Sequence, residues 1–471
     1  MAANYTFGII GMGTMGRNLL LNMADHNFNV AGYDKDAKKI ELLTKEASGK
    51  PNVKGFTQAN EFIESLQKPR AIMLLVPAGK IVDSVIQELT PLLDKGDLII
   101  DGGNSHFTDT NRRVLELKEK GLHFFGMGIS GGEEGARKGP SMMPGGDQQA
   151  YKVVQPIFEA VAAKVNGTPC VTYIGPGASG HFVKMVHNGI EYGIMQLIAE
   201  TYEMMKKGFN LSDENIHSIF KQWSEGRLKS FLIEITRDIL AFKANGSDHL
   251  LIHDIKDEAK SKGTGKWTSQ VAMDLVTPLT VVDTAVSMRD LSKYKSLRKQ
   301  AATLYGQEPV THALSLEASI AALEAALYFS TIVAYAQGMH LLAQASTEYK
   351  YDLKMDQIAL IWRGGCIIRS VFLEDMYQAF KRDSNLPHLL LDKDIHKTVS
   401  GLLDGIRLTT SSAITSGIAM PAHTAAISYF DSFKSERMPS NLIQAQRDYF
   451  GAHTYELIGK EGVFHTQWFA K

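Results

Sequence analysis

The stretch Tyr5-Thr-Phe-Gly-Ile-Ile10-Gly11-Met12-Gly13-Thr14-Met15-Gly16 decides how the chain is read. Residues 5–10 form a short apolar run of strand type, and residues 15–24 carry helical spacing. Between them lies Gly-x-Gly-x-x-Gly. In a strand–turn–helix setting each glycine has a task. Gly11 permits the tight turn, Gly13 lets the backbone approach a pyrophosphate, and Gly16 lets the helix pack closely on the strand. The helix start then offers unpaired N–H groups and a positive dipole end to the phosphates. The glycine spacing alone also fits an ordinary turn. The strand before it, the helix after it and an acid closing the next strand make it a dinucleotide loop.

That acid is Asp34, 23 residues beyond Gly11, after a strand over 29–33. A carboxylate there accepts hydrogen bonds from the ribose hydroxyls of an adenosine and repels a 2′-phosphate. The expectation is that NAD is favoured, with NADP as the alternative and Lys35 as the side chain that softens the preference. Further strands are expected over 71–76, 97–100 and 123–128. Alternating with helices, they imply a parallel sheet with crossover connections.

From about residue 180 the strand signal fades. Segments 182–207, 269–287 and 315–344 have helical spacing and are rich in Ala, Leu, Met, Glu and Gln. A shift of 142 positions aligns Phe209 with Tyr351, Leu211 with Leu353, Ile216 with Ile358, Phe220 with Trp362 and Arg227 with Arg369, the mark of a duplicated helical unit. The expected architecture is an α/β Rossmann-like dinucleotide-binding domain over 1–178 and a large all-α domain over 179–435. A polar, aromatic-ended C-terminal tail over 436–471 is of a kind that docks away from its own core.

Lys+Arg number 50 against 51 Asp+Glu, a net charge of −1, so neither nucleic acid nor a membrane surface is expected as partner. A local cationic pocket for a small anion remains open. Cys170 and Cys366 make neither a disulfide framework nor a metal cluster, and the start lacks the basic and apolar regions of a signal peptide. A reducing, cytoplasmic setting is expected. The apolar run 325–336 reads as a core helix, too short for a bilayer that needs about 20 residues.

The chemistry is sought in Gly180-His-Phe-Val-Lys184-Met-Val-His187-Asn188-Gly-Ile-Glu191-Tyr192. Lys184, His187, Asn188 and Glu191 fall at i, i+3, i+4 and i+7, on one helix face, with Lys184 and Glu191 about 10 Å apart. A solvated polar face is the plain alternative. Against it, the echo places Ala326 and Val333 opposite Lys184 and Glu191, so the helix itself does not require those charges. Asp101-Gly-Gly-Asn104 and Ser130-Gly131-Gly132 follow strands, at the ends where doubly wound sheets bind ligands. Met143-Pro-Gly-Gly146 reads as a structural turn. Lys262-Gly-Thr264-Gly-Lys266-Trp267 suits an anion without P-loop spacing, and Arg447 and His453 stand six apart in the tail. His249 and His253 are spaced for zinc but lack a third ligand, so no metal is expected.

Taken together, residues 11–16, 130–132, 180–192, 262–267 and 447–453 resemble the 6-phosphogluconate dehydrogenase family along nearly the whole chain. The resemblance implies a cofactor held by Gly11, Met12, Gly13, Thr14, Met15, Gly16, Asp34, Lys35, Val76, Pro77, Ala78 and Asn104. It implies a sugar acid contacted by Asn104, Ser130, Gly131, Gly132, His187 and Asn188, with its phosphate gripped by Tyr192, Lys262, Thr264, Arg289 and Arg447. It also implies a homodimer in which Arg447 and His453 reach the partner's site, with no metal. In that family's chemistry Lys184 would be the base for the 3-hydroxyl and Glu191 the acid that protonates C1 after carbon dioxide leaves. Two departures fall in the cofactor region. Asp34-Lys35-Asp36 stands where Asn-Arg-Thr is common, and Val76-Pro77-Ala78-Gly79 where Val-Lys-Ala-Gly is common. The competing readings are a β-hydroxyacid dehydrogenase for another acid and a non-catalytic dinucleotide-binding protein. The cations at 262, 289 and 447 speak against the first, and the Lys184/Glu191 pair against the second.

Overall fold

The computed structural model describes residues 5–306 and 315–469. The first four residues, part of the stretch read for a targeting signal, and the last two of the tail lie outside them. Seven strands, β1 (Phe7–Ile10), β2 (Val30–Tyr33), β3 (Val53–Phe56), β4 (Ala71–Leu74), β5 (Leu98–Asp101), β6 (His123–Ser130) and β7 (Ser141–Gly146), form one sheet in the order β3-β2-β1-β4-β5-β6-β7. The first six run parallel, and β7 pairs antiparallel with β6. Strands buried on both faces must be apolar at successive positions, as here. Along β4, Ala71 and Met73 join the core on one face, while Ile72 and Leu74 join the core on the other. The order reverses between β1 and β4, and a crevice opens there at the strand C-termini.

One expectation is corrected in this half, and one strand is added. Met143–Gly146 is the end of β7 and not a free-standing turn, because its backbone completes the β6 ladder from Phe125 to Ser130. Strand β3 carries Lys54 and Gly55 on an edge, where little burial is needed, and so left no apolar run to detect.

The second half is helical. The helix expected over 269–287 is two, Thr264–Asp274 and Thr280–Ser292. The break holds Pro278, and Val276 takes a left-handed φ of 52°. The run 325–336 belongs to the helix Leu316–Glu348, whose 33 residues are long and apolar enough to cross a membrane, contrary to expectation. Leu327, Phe329, Val333 and Tyr335 are buried on several sides of it, as in a core helix.

The duplication is visible in the element ranges. At the 142-residue offset, Ser179–Glu203 corresponds to Leu316–Glu348, Asp213–Trp223 to Met355–Trp362, and Phe231–Ile239 to Phe372–Arg382. Thr264–Asp274 and Thr280–Ser292 correspond to Leu403–Thr415 and Pro421–Phe433. Asn210 and Asp352, equivalent positions, share a left-handed φ of 51°. The copies are laced together where Phe231 N–H donates to Arg369 O at 3.0 Å and Val371 N–H donates to Lys229 O at 3.0 Å.

The tail is a small lobe of the helix Ser440–Gly451 and a hairpin, Tyr455–Leu457 with Lys460–Phe464. Its centre is the buried carboxylate of Asp448. That group accepts from Thr454 N–H at 3.0 Å, His465 Nδ1 at 2.9 Å, Thr466 N–H at 3.1 Å and Trp468 Nε1 at 2.8 Å. Around it, Leu442, Ile443, Phe450, Ile458, Val463 and Phe469 are exposed.

Candidate active site

The helix Ser179–Glu203 lies hard against β6 and β7 because small residues let it. A Cβ on Gly180 would stand 2.2 Å from Met143 O and 2.5 Å from Gly126 O, and one on Gly128 would stand 2.3 Å from the Cβ of Lys184. This approach carries the polar stripe under the sheet end. Lys184 is only 6% exposed. Its Nζ donates to Asn188 Oδ1 at 2.7 Å and lies 3.3 Å from His187 Nδ1. His187, fully buried, holds Ser130 Oγ at 3.2 Å through Nε2, and Glu191 Oε2 lies 4.0 Å from its Nδ1. His187 Nδ1 also lies 3.2 Å from Asn188 Oδ1, so the ring bridges Lys184 and Asn188 on one side and Ser130 on the other.

The electrostatics follow from burial. Loss of water pushes the Lys184 ammonium below its ordinary 10.5, with Glu191 opposing the shift. Burial raises the Glu191 carboxyl above 4.5, against Lys184 and Arg289. Burial and the neighbouring Lys184 drive His187 well below 6.5, so the ring is neutral.

A second group forms beside the first. The Arg289 guanidinium stacks 3.5 Å over the Tyr192 ring and donates to Lys260 O at 3.2 Å. Thr264 begins the helix Thr264–Asp274 behind Gly263, and a Cβ on Gly265 would meet the Tyr192 ring at 2.4 Å. Lys262 is exposed, two residues before Thr264. Gly131 and Gly132, with φ of 115° and 63°, turn the chain from β6 into the helix Gly132–Lys138. Asn104 is exposed beyond β5. Arg447 and His453 lie in the tail, beside Gln444 and Phe450.

Reading the sequence missed the floor of the site, which comes from the second helical copy. Trp362 packs edge-on to His187 at 5.6 Å, Ile367 N–H donates to Ser130 Oγ at 3.4 Å, and Gly365 O would stand 2.6 Å from a Cβ on Gly131. The pair Gly364-Gly365 after an aromatic helix end was the available signal. The described residues include no group of three or more His, Cys, Asp or Glu side chains placed to hold a metal ion.

At the β1/β4 crevice, of about 570 Å³, Gly11, Gly13, Asp34, Lys35, Val76 and Pro77 are among the lining residues. Gly11 adopts φ 97°, and a Cβ on Gly16 would lie 1.9 Å from Gly11 O. Nothing stands within 4 Å of a Cβ on Gly13, which is the open N-cap of the helix Thr14–Asp25. An anion fits there against free N–H groups.

Residues 6–175 match the NAD binding domain of 6-phosphogluconate dehydrogenase, and residues 180–468 match its C-terminal domain. The chain belongs to the 6-phosphogluconate dehydrogenase family. It is 49% identical over 464 residues to the NADP(+)-dependent, decarboxylating 6-phosphogluconate dehydrogenase of Bacillus subtilis, covering 98% of both chains. It is 48% identical over 471 residues to the decarboxylating enzyme of Lactococcus lactis subsp. lactis, covering all of both. Its fold matches that of Plasmodium falciparum 6-phosphogluconate dehydrogenase, solved in apo form, with its cofactor NADP+ and with its substrate 6-phosphogluconate. The TM-score is 0.95 at 42% identity, over 98% of this chain and 100% of that one.

These relatives overturn the expectation that NAD is favoured, since the Bacillus protein is named for NADP(+) and the Plasmodium protein was solved with NADP+. The physical reason lies in how Asp34 is used. Its Oδ2 accepts from Met12 N–H at 2.9 Å and from Lys39 Nζ at 3.1 Å, and its Oδ1 accepts from Asp36 N–H at 3.0 Å. Burial raises its pKa, but these backbone N–H groups and Lys39 lower it further. The carboxylate is thus occupied and its charge compensated, while Lys35, Lys39 and Lys80 line the same crevice. Glu88 lines the crevice too and pairs with Lys35 at 2.7 Å, so Asp34 stands among paired charges that the sequence does not display.

Proposed function

We propose that the chain oxidises 6-phosphogluconate with NADP and releases carbon dioxide to give ribulose 5-phosphate. The observation that carries this reading is the buried Lys184, depressed by desolvation and held by Asn188 and His187, with a raised Glu191 on the same helix face. A neutral Lys184 takes the proton of the 3-hydroxyl. A bound nicotinamide would supply the acceptor for the hydride that leaves C3. Protonated Lys184 then faces the oxygen of the β-keto acid and stabilises negative charge there as the carboxyl group leaves. Glu191, whose carboxyl burial holds above its ordinary 4.5, delivers a proton to C1 of the enediol. An ammonium at the keto oxygen does what a Lewis acid would do, so we propose that no metal takes part.

Ser130 and His187 orient the sugar-acid end, and Tyr192, Thr264, Lys262 and Arg289 receive the phosphate. The same proposal includes a homodimer. The lobe around Asp448 closes its own hydrogen bonds while exposing Leu442, Ile443 and Phe450, a surface suited to burial on a partner that would bring Arg447 and His453 to the partner's phosphate group.

The test is turnover by the purified protein with 6-phosphogluconate, following nicotinamide absorbance and carbon dioxide together, beside Lys184→Met. Loss of general-base catalysis is expected to cost about 10²–10⁴-fold. Wild-type turnover in the variant would remove Lys184 from the reaction, and reduction without carbon dioxide would leave a simple hydroxyacid dehydrogenase.

A further inference from the structure

Arg113 lies in the helix Phe107–Glu119 and is not among the residues placed in the site above, yet its side chain is only 1% exposed. A buried guanidinium must find partners for its five N–H groups. Those it has lie on two segments that frame the ligands. Nη2 donates to Gly79 O at 3.0 Å, in the Val76–Gly79 turn after β4, and Nε donates to Asp83 Oδ1 at 2.8 Å, on the helix that follows that turn. Nη1 donates to Asp101 Oδ2 and to Ser105 Oγ, both at 3.3 Å, on either side of Asn104 in the turn after β5. Asp101, fully buried, also binds its own turn, accepting from Ser105 Oγ at 2.6 Å and from Gly103 N–H at 3.0 Å. The two turns touch, since a Cβ on Gly103 would lie 3.3 Å from Val76 O.

One turn lines the cofactor crevice through Val76 and Pro77, and the other presents Asn104. With both ligands bound, the relative position of these turns would set how cofactor and sugar acid stand to one another. We propose that Arg113 is a positioning residue that locks the turn after β4 to the turn after β5, holding cofactor and sugar acid in common register. The inference rests on the functional reading above and adds a residue that touches neither ligand. A planar, three-sided donor suits the task, and lysine is a poor replacement because it offers a point charge without the fork. Misplacement of reacting groups by a fraction of an ångström is costly.

The test uses the full chain with Arg113→Lys, Arg113→Met and Asp83→Ala. For each, KM for NADP, KM for 6-phosphogluconate, kcat and the melting temperature are measured, together with calorimetric binding of NADP alone. In a folded Arg113→Lys both KM values are expected to rise together, about tenfold, and kcat to fall. Asp83→Ala, a change at a half-exposed site that leaves the fold intact, shifts both KM values in the same direction by less. Arg113→Met strips the buried Asp101 of its cation, and if it does not fold the other two variants decide. A lowered melting temperature with both KM values unchanged, or a change in one KM alone, would overturn the proposal. Wild-type turnover is read first. If it is absent, the functional reading fails at that step, and NADP binding to Arg113→Lys still decides the role of Arg113, with unchanged affinity counting against it.

Discussion

Lys184 Nζ donates to Asn188 Oδ1 across 2.7 Å, one turn apart on a helix buried beneath the sheet. The amide oxygen accepts a hydrogen bond without adding charge, so it orients the amine and leaves its proton affinity to the surroundings. Asn188→Asp replaces that neutral acceptor with a carboxylate and raises the Lys184 pKa. Because the reaction needs neutral Lys184, the rise of kcat/KM with pH moves to higher pH. Activity at pH 7 is expected to fall about tenfold or more, with partial recovery at pH 9. A pH–rate profile unchanged from wild type would show that Asn188 does not govern the base.

Glu191 shows the opposite sign. Burial raises its folded pKa above 4.5, so the folded state holds the proton more tightly than the unfolded chain does. The stability this contributes is present at low pH and is lost as pH rises through the raised value. Glu191→Gln, permanently neutral, is expected to gain in melting temperature relative to wild type at pH 8 and to gain nothing at pH 4. The same variant cannot donate to C1, so kcat falls about 10²–10⁴-fold.

Gly128→Ala tests the close packing that positions the base. Its Cβ would stand 2.3 Å from the Lys184 Cβ and 3.1 Å from Gly180 O. The Lys184 Cβ is fixed to its helix and Gly180 O is backbone, so neither can yield without moving the helix, and a loss of about 1–3 kcal/mol in denaturant unfolding is expected. Activity should fall further than stability, because the displaced atom carries the amine.

Complementation addresses the tail. On the proposed homodimer, Lys184→Met and Arg447→Ala should each be nearly inactive alone, the second through a raised KM for 6-phosphogluconate. Co-expressed, they should form hybrid dimers with one site carrying both native residues, and activity should return. Failure to regain activity, with hybrid dimers demonstrated, would place Arg447 in its own subunit's site.

Lys39 compensates Asp34 at 3.1 Å. Lys39→Ala removes the cation paired with that carboxylate in the β1/β4 crevice and leaves it only the Met12 and Asp36 N–H groups. KM for NADP should rise about tenfold while KM for NAD changes little. Equal changes with both cofactors would remove Lys39 from discrimination.

How far the sequence discloses this site depends on whether a function is built locally. Gly11, Gly13, Gly16 and the stripe from Lys184 to Tyr192 are readable because one turn and one helix contain their own geometry. Asp34 was misread because its partner Lys39 faces it only after the chain turns into the helix Ala37–Glu46. Trp362 and Ile367 could not be seen as floor residues, since 232 and 237 positions separate them from Ser130 and only tertiary folding closes that distance. The pKa directions at Lys184 and Glu191 are likewise products of burial, which no motif records.

The repeat at 142 residues carries one more consequence. Opposite Lys184 and Glu191 stand Ala326 and Val333, both fully buried in the helix Leu316–Glu348. One copy has kept the reagents and the other has become their mould, lending Trp362, Gly365 and Ile367 to the floor while its own stripe fills the core. The two halves of this domain are therefore no longer interchangeable. A lysine placed at 326 would found no second site; it would bury a lone ammonium in the packing that holds the first site in shape.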